Sequence, residues 1–170
     1  MGAVISECGK YRYQLTRPST LEYPDRGTAL FIMLNPSTAD ADIDDPTIRR
    51  CRRFAERWGC AGIAVANLFA LRSTDPKALL VADDPIGPDN DMYLRALARE
   101  YESVVFAWGA NAPAKRAAEV IQIFQQTGGH TRRMWCLGKT KNGAPKHPLY
   151  IRADQPLIEF VAAAPHVGDE

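Results

Sequence analysis

Two asparagines and a histidine carry the side chains best suited to chemistry. Asn35 follows the apolar run Thr28–Leu34 and is succeeded at once by Pro36 and Ser37. Asn67 closes a second apolar run, Gly62–Ala66, and His147 sits between Lys146 and Pro148 in the polar stretch Gly138–Tyr150. A carboxamide presents an acceptor and two donors on one flat fork, a match for the edge of a planar heterocycle. A neutral imidazole presents one donor and one acceptor, and the nearby Lys139, Lys141 and Lys146 disfavour its protonated form. Each has a plainer alternative: Asn35 and Ser37 as turn formers bonding their own backbone, Asn67 as a tie between loops, His147 as a structural ring.

Other candidates lie close to these three. Asp40 is the carboxylate nearest Asn35 in sequence and the candidate general base. Arg72 suits a phosphate or carboxylate, or is a solvated loop charge. Phe69 can stack on a planar ring or simply pack. Trp108, at the end of a third apolar run, and Lys146 complete the ligand-binding set. Arg49, Arg53 and Arg57 recur every four residues. Such like charges weaken a helix unless an anion offsets them, so the face is either solvated or meets a nucleic-acid backbone. Glu56 is placed to pair with Arg52 or Arg53.

Several chemistries are disfavoured. Asp40, Asp42 and Asp44 begin like a calcium loop, but Asp45 and Cys51 occupy the positions that need glycine and a bidentate glutamate. The four cysteines form no C-x-x-C pair and the three histidines lie far apart, so no metal site is expected and the thiols read as reduced and mostly buried. Neither a dinucleotide fingerprint nor a phosphate loop is present, and no cofactor is expected.

The elements that must position these residues follow from hydrophobic patterning. Thr28–Leu34, Gly62–Ala66, Ser103–Trp108 and Arg133–Leu137 are continuous apolar runs, the pattern of strands covered on both faces. Tyr11–Leu15 alternates and reads as an edge strand or hairpin arm. Asp45-Pro46 opens a helix with Ile48, Cys51, Ala55 and Trp58 on one face, stopped by Gly59. Asp75-Pro76 opens a short helix through Leu80. Pro88-Asp89 opens another with Met92, Leu94, Leu97 and Ala98 inward. Pro113 starts the last long one, with Ala117, Val120, Ile121 and Phe124 inward and Gly128-Gly129 as its stop. The tail suggests a short helix over Pro156–Ala163.

Strand and helix alternate, which predicts an α/β fold: a three-layer sandwich around a mainly parallel four-stranded sheet, plus the N-terminal edge strand or hairpin. Ligands in such sheets bind beyond the carboxyl ends of the strands, where Asn35, Asn67 and the loops after Trp108 and Leu137 fall. At 170 residues the chain suits one domain, with a core over 11–151 and a tail over 152–170. The net charge of +1 gives no global pull toward nucleic acid. No apolar run approaches the roughly 20 residues that span a bilayer, and no secretory signal is visible. The expectation is a cytoplasmic monomer or small homo-oligomer with no membrane partner.

With these residues in place, a resemblance emerges. Leu34–Asp40, Asp45-Pro46-Thr47, Asn67–Arg72, Asp84–Asn90, Ala107-Trp108-Gly109 and His147–Tyr150 together resemble a bacterial domain-of-unknown-function family, number sixteen forty-three, from about Tyr11 to Ile151. The arrangement is also distantly similar to the uracil-DNA glycosylase superfamily, which implies a fold of that type. The resemblance implies that Asn35 positions an attacking water, Asn67 reads the base edge and His147 stabilises the departing base. The chain departs from that pattern at Ser37, where glycine is usual, at Leu149, where a phosphate-gripping serine is usual, and in the insertion Asp83–Arg99. These departures put a free nucleotide or single strand on at least an equal footing with duplex DNA.

The expected function is therefore recognition of a nucleobase-containing small molecule or nucleic acid, with hydrolysis of an N-glycosidic bond as the candidate reaction. A non-catalytic binder on the same scaffold, and an unrelated α/β hydrolase or transferase, are the alternatives.

Overall fold

The apolar runs do become strands, and alternation of their side chains explains the layering. The computed structural model describes residues 1–37, 39–127 and 133–162. Within them lie β1 (Gly2–Ile5), β2 (Arg12–Pro18), β3 (Ala29–Met33), β4 (Gly62–Asn67), β5 (Ser103–Phe106), β6 (Arg133–Cys136) and β7 (Ile158–Glu159). The helices are α1 (Pro46–Arg57), α2 (Ala78–Val81), α3 (Asn90–Glu100) and α4 (Ala114–Thr127), with a 3₁₀ turn at Pro148–Tyr150. Successive strand residues point to opposite faces. Leu30, Ile32, Ala64, Ala66, Val104 and Phe106 accordingly pack with Leu94 and Leu97 of α3 and with Val120 and Phe124 of α4. Phe31, Met33, Ile63, Val65 and Val105 pack instead with Ile48, Cys51, Phe54 and Ala55 of α1. Helices thus cover both faces.

The sheet has seven strands, more than the expected four-stranded parallel block with an N-terminal edge strand or hairpin. Its order is β1-β2-β4-β3-β5-β6-β7. The block β4-β3-β5-β6 is parallel throughout, whereas β1, β2 and β7 add antiparallel pairs at its two sides. β2 is a hairpin arm but not an edge, since β1 covers its outer side. The tail does not make the expected helix. Its residues Ile158 and Glu159 pair with β6, and Phe160 is buried against Phe106 and Trp108. Ala163, the end of that expected helix, and the Gly128-Gly129 stop lie outside the described residues.

Helix starts follow the local chemistry. Asp45 caps α1 by accepting from the Ile48 amide at 2.9 Å, with Pro46 at the first helical position. Asp89 precedes α3 but makes no side-chain cap. Met92, expected inward, is 58% exposed, and Phe54 takes a buried place on α1 while Trp58 is only half-buried. Glu56 accepts from the backbone and hydroxyl of Thr20 rather than pairing with an arginine, and Arg52 pairs with Asp44. Among the described residues no helix is long and apolar enough to cross a membrane.

Candidate functional site

A cavity of about 500 Å³ opens at the carboxyl ends of the parallel strands, on the α1 face. Asn35, Asn67 and His147 all line it, together with Ser37, Trp108 and Lys146. It also takes in Arg12 and Asp45, neither of which the sequence marked as a site residue. Three segments far apart in sequence therefore meet at one rim, as the rule for such sheets requires.

Asn67 ends β4 facing α1, on the same side as Ile63 and Val65. Its backbone is pinned. Asn90 donates its side-chain amide to the carbonyls of Asn67 and Leu68, both at 3.1 Å, and Arg116 Nε donates to the Leu68 carbonyl at 2.9 Å. The segment Asp83–Arg99 thus supplies the residue that fixes the strand end. The Asn67 side-chain oxygen is not used: the residue is 2% exposed, and its buried Oδ1 has no hydrogen-bond partner among the described residues. Leaving such a group unpaired costs about 1–3 kcal/mol, so the fold holds an unsatisfied acceptor at the cavity wall.

Asn35 is divided between two tasks. Its Nδ2 donates to the Pro36 carbonyl at 3.0 Å and to the Ser73 carbonyl at 2.9 Å, while Oδ1 makes no hydrogen bond among the described residues. The nitrogen thus makes the local backbone bond of a turn former, and it also ties the first loop to the second, the task expected of Asn67. Pro36 is buried and its carbonyl accepts from the Ser73 amide, so it shapes the loop without lining the cavity. Ser37 donates its hydroxyl to Asp45 Oδ2, and Asp45 Oδ1 is the α1 cap. Both carboxylate oxygens are therefore occupied.

His147 is held by the loop after β6. Gly109, at φ +82°, leaves room for it, because a β-carbon there would stand 3.3 Å from His147 Cβ. The Gly109 amide donates to the Pro145 carbonyl, and Arg50 of α1 clamps the carbonyls of Pro148 and Ile151 from the other side. His147 Nδ1 accepts from the Leu149 amide at 3.3 Å, which places the proton of the neutral ring on Nε2. Burial lowers the pKa of this histidine, opposed by the charge of Asp45. The ring is neutral because it is half-buried; the lysines of the loop are not the cause.

Six further sequence candidates fall elsewhere. Asp40 does not line the cavity: its Oδ1 accepts from the amides of Asp42 and Ile43, and these bonds hold its pKa down, which makes it a weaker base. Phe69 is a core side chain, 6% exposed, unable to stack on a ligand. Arg72 lies outside the lining and donates to the Gly9 carbonyl. Arg57 is exposed and remote from the cavity lining, whereas Arg49 and Arg53 border a separate shallow depression with Arg50 and Leu149. Among the described residues no group of three or more His, Cys, Asp or Glu could hold a metal ion. Three cysteines are buried and Cys8 is exposed.

Arg12 is the residue that sequence reasoning missed. Strand pairing slips between Val4 and Ile5, where Val4 faces Gln14 but Ile5 faces Arg12. Such an irregularity re-aims a side chain. Tyr13 stacks on Tyr93 of α3, while Arg12 joins Leu15 and Arg17 on the α1 side and donates to the Ala39 carbonyl. Simple alternation would have separated Arg12 from those two.

The molecule is thus a mixed α/β protein with a cavity of mixed polar and apolar lining at the carboxyl ends of its parallel strands. Within that class the chain belongs to the family described as a protein of unknown function (DUF1643), whose model matches residues 12–149. Comparison with curated proteins and with solved structures gives no match.

Proposed function

We propose that the cavity binds a nucleobase, with hydrolysis of the N-glycosidic bond in a uracil-DNA-glycosylase-like manner as the reaction the residues suit best. One observation carries this reading: the Asn67 carboxamide oxygen is buried and, among the described residues, unpartnered in the same cavity as a neutral imidazole donor. An amide fork fits the alternating donors and acceptors of a base edge. Trp108, 3% exposed, adds an apolar wall.

The chemistry balances without a metal or a cofactor. Water adds to the sugar carbon as the carbon–nitrogen bond breaks, and the bonding pair leaves with the base. His147 Nε2–H donates to the developing anion, by the logic of an oxyanion hole. Asn35 Oδ1, left over once Nδ2 is used on Ser73, orients the water. The water's proton passes to the departing base or to solvent, because neither asparagine accepts it.

A second reading, binding without turnover, is favoured by the state of the carboxylates. Asp45 has both oxygens engaged and Asp40 does not line the cavity, so among the described residues no cavity carboxylate stands ready as a general base. Incubation with nucleosides, nucleotides and modified single-stranded DNA, read by mass spectrometry for released base, separates the two. Release that is lost in Asn35→Ala and His147→Ala, with both variants folded, supports hydrolysis. Ligand-dependent thermal stabilisation without release supports binding alone, and neither result from any compound removes the nucleobase reading.

A further inference from the structure

Arg12 is 2% exposed and lines the cavity, and Asp45 and Asp40 balance its charge only through space, without contact. Nη1 donates to the Ala39 carbonyl, while the buried Nε has no hydrogen-bond partner among the described residues. No carboxylate among the described residues forms an ion pair with it; the five pairs there use Arg17, Arg52, Arg116 twice and Arg152. Asp45, the acid of the same cavity, spends its oxygens on Ile48 and Ser37. Burial pushes Arg12 down to about 10, which still leaves it charged at neutral pH. Buried charges are ordinarily paired, and a guanidinium with an open edge offers parallel N–H donors to an oxyanion.

We propose that Arg12 forms an anion subsite in this cavity, and that the ligand carries a phosphate group there. The subsite stands on Arg12 alone; that the same ligand also carries a heterocycle rests on the nucleobase reading above. Arg12 and Asn67 lie on adjacent antiparallel strands and line one cavity, on whose wall both leave polar atoms unpaired. The space, about 500 Å³, is of the size that encloses a small ligand. The shared chemistry is phosphate oxygen, and a free nucleotide is distinguished from a strand by assay.

Calorimetric titration of the wild-type protein tests this with nucleoside 5′-monophosphates, the matching nucleosides, ribose 5-phosphate and a short single-stranded oligonucleotide. The expected result is that a monophosphate binds roughly ten- to a hundredfold tighter than its nucleoside. That preference should vanish in Arg12→Gln and persist only in part in Arg12→Lys, which keeps the charge but loses the fork. Equal affinity for nucleotide and nucleoside overturns the subsite and leaves the nucleobase reading intact. Ribose 5-phosphate binding as tightly as any nucleotide upholds the subsite and overturns the nucleobase reading. A preference that survives Arg12→Gln removes the assignment to Arg12; if that variant fails to fold, full retention of the preference in Arg12→Lys removes it instead. An oligonucleotide that binds tighter than its monomer through the same Arg12 dependence moves the source from free nucleotide to strand. No binding by any of these compounds refutes the proposal.

Discussion

β2 buries an arginine near each end, and the two surroundings are built in opposite ways. Arg17, 1% exposed, is saturated: it pairs with Asp44 and donates to backbone carbonyls of Thr16, Asp40 and Ile43. It clamps the acidic loop to the sheet. Arg12, 2% exposed, makes one contact to a carbonyl and keeps Nε unpaired. Arg116 follows the pattern of Arg17, with Leu68, Asp91 and Glu119 as partners. The lesson is that burial alone does not separate a structural ion from a ligand-facing one; the count of satisfied donors does.

Substitution at the two ends of β2 sharpens that contrast. Arg17→Met leaves half-buried Asp44 with Arg52 alone and strands several carbonyls, and is expected to cost about 3 kcal/mol, or roughly 6–12 °C in Tm. Arg12→Met loses one hydrogen bond and relieves an unpaired charge, so thermal melts should show a change of no more than about 1 kcal/mol. Equal losses at both ends would erase the distinction.

The pH dependence tests the same idea at His147. Its folded pKa lies below the ordinary value of 6.5, so the unfolded chain binds more protons between the two values. Stability therefore rises with pH across that window, is fully present above about 6.5 and is lost as pH falls toward the lowered value. Melting curves of wild type against His147→Gln should converge at low pH and part above it. A variant that tracks wild type at every pH speaks against the buried neutral ring. The smallest effect belongs to the α1 surface: Arg53→Gln should alter stability by less than about 0.5 kcal/mol, and a larger shift would mean that this face is more than solvated.

Much of the frame was legible in the sequence. Four runs of apolar residues marked the parallel block because strands covered on both sides cannot alternate. Asp45-Pro46 marked the α1 start because the cap is a local interaction. What escaped was non-local. β7 is two exposed residues whose pairing depends on β6, and no periodicity can reveal it. Arg12 sits in an alternating segment that reads as half-solvated, and only the slip in β1–β2 pairing aims it inward. Asp40 is adjacent to Asn35 in sequence, yet the turn that its own carboxylate caps carries it away from the cavity. The convergence of Asn35, Asn67 and His147 was legible, because the two asparagines follow or end parallel strands and the histidine lies in the loop after another, all on the rim where those strands end.

Replacing the open carboxamide of Asn67 with an isosteric apolar group tests the central claim most directly. In Asn67→Leu, thermal melts without ligand should match or exceed wild type, because an unsatisfied buried group has been removed. Titration of the same protein with the nucleotide that binds wild type best should show at least a roughly hundredfold loss of affinity. A clear drop in stability with unchanged affinity would contradict the account, since Asn67 would then hold the strand end together and leave the ligand to other residues.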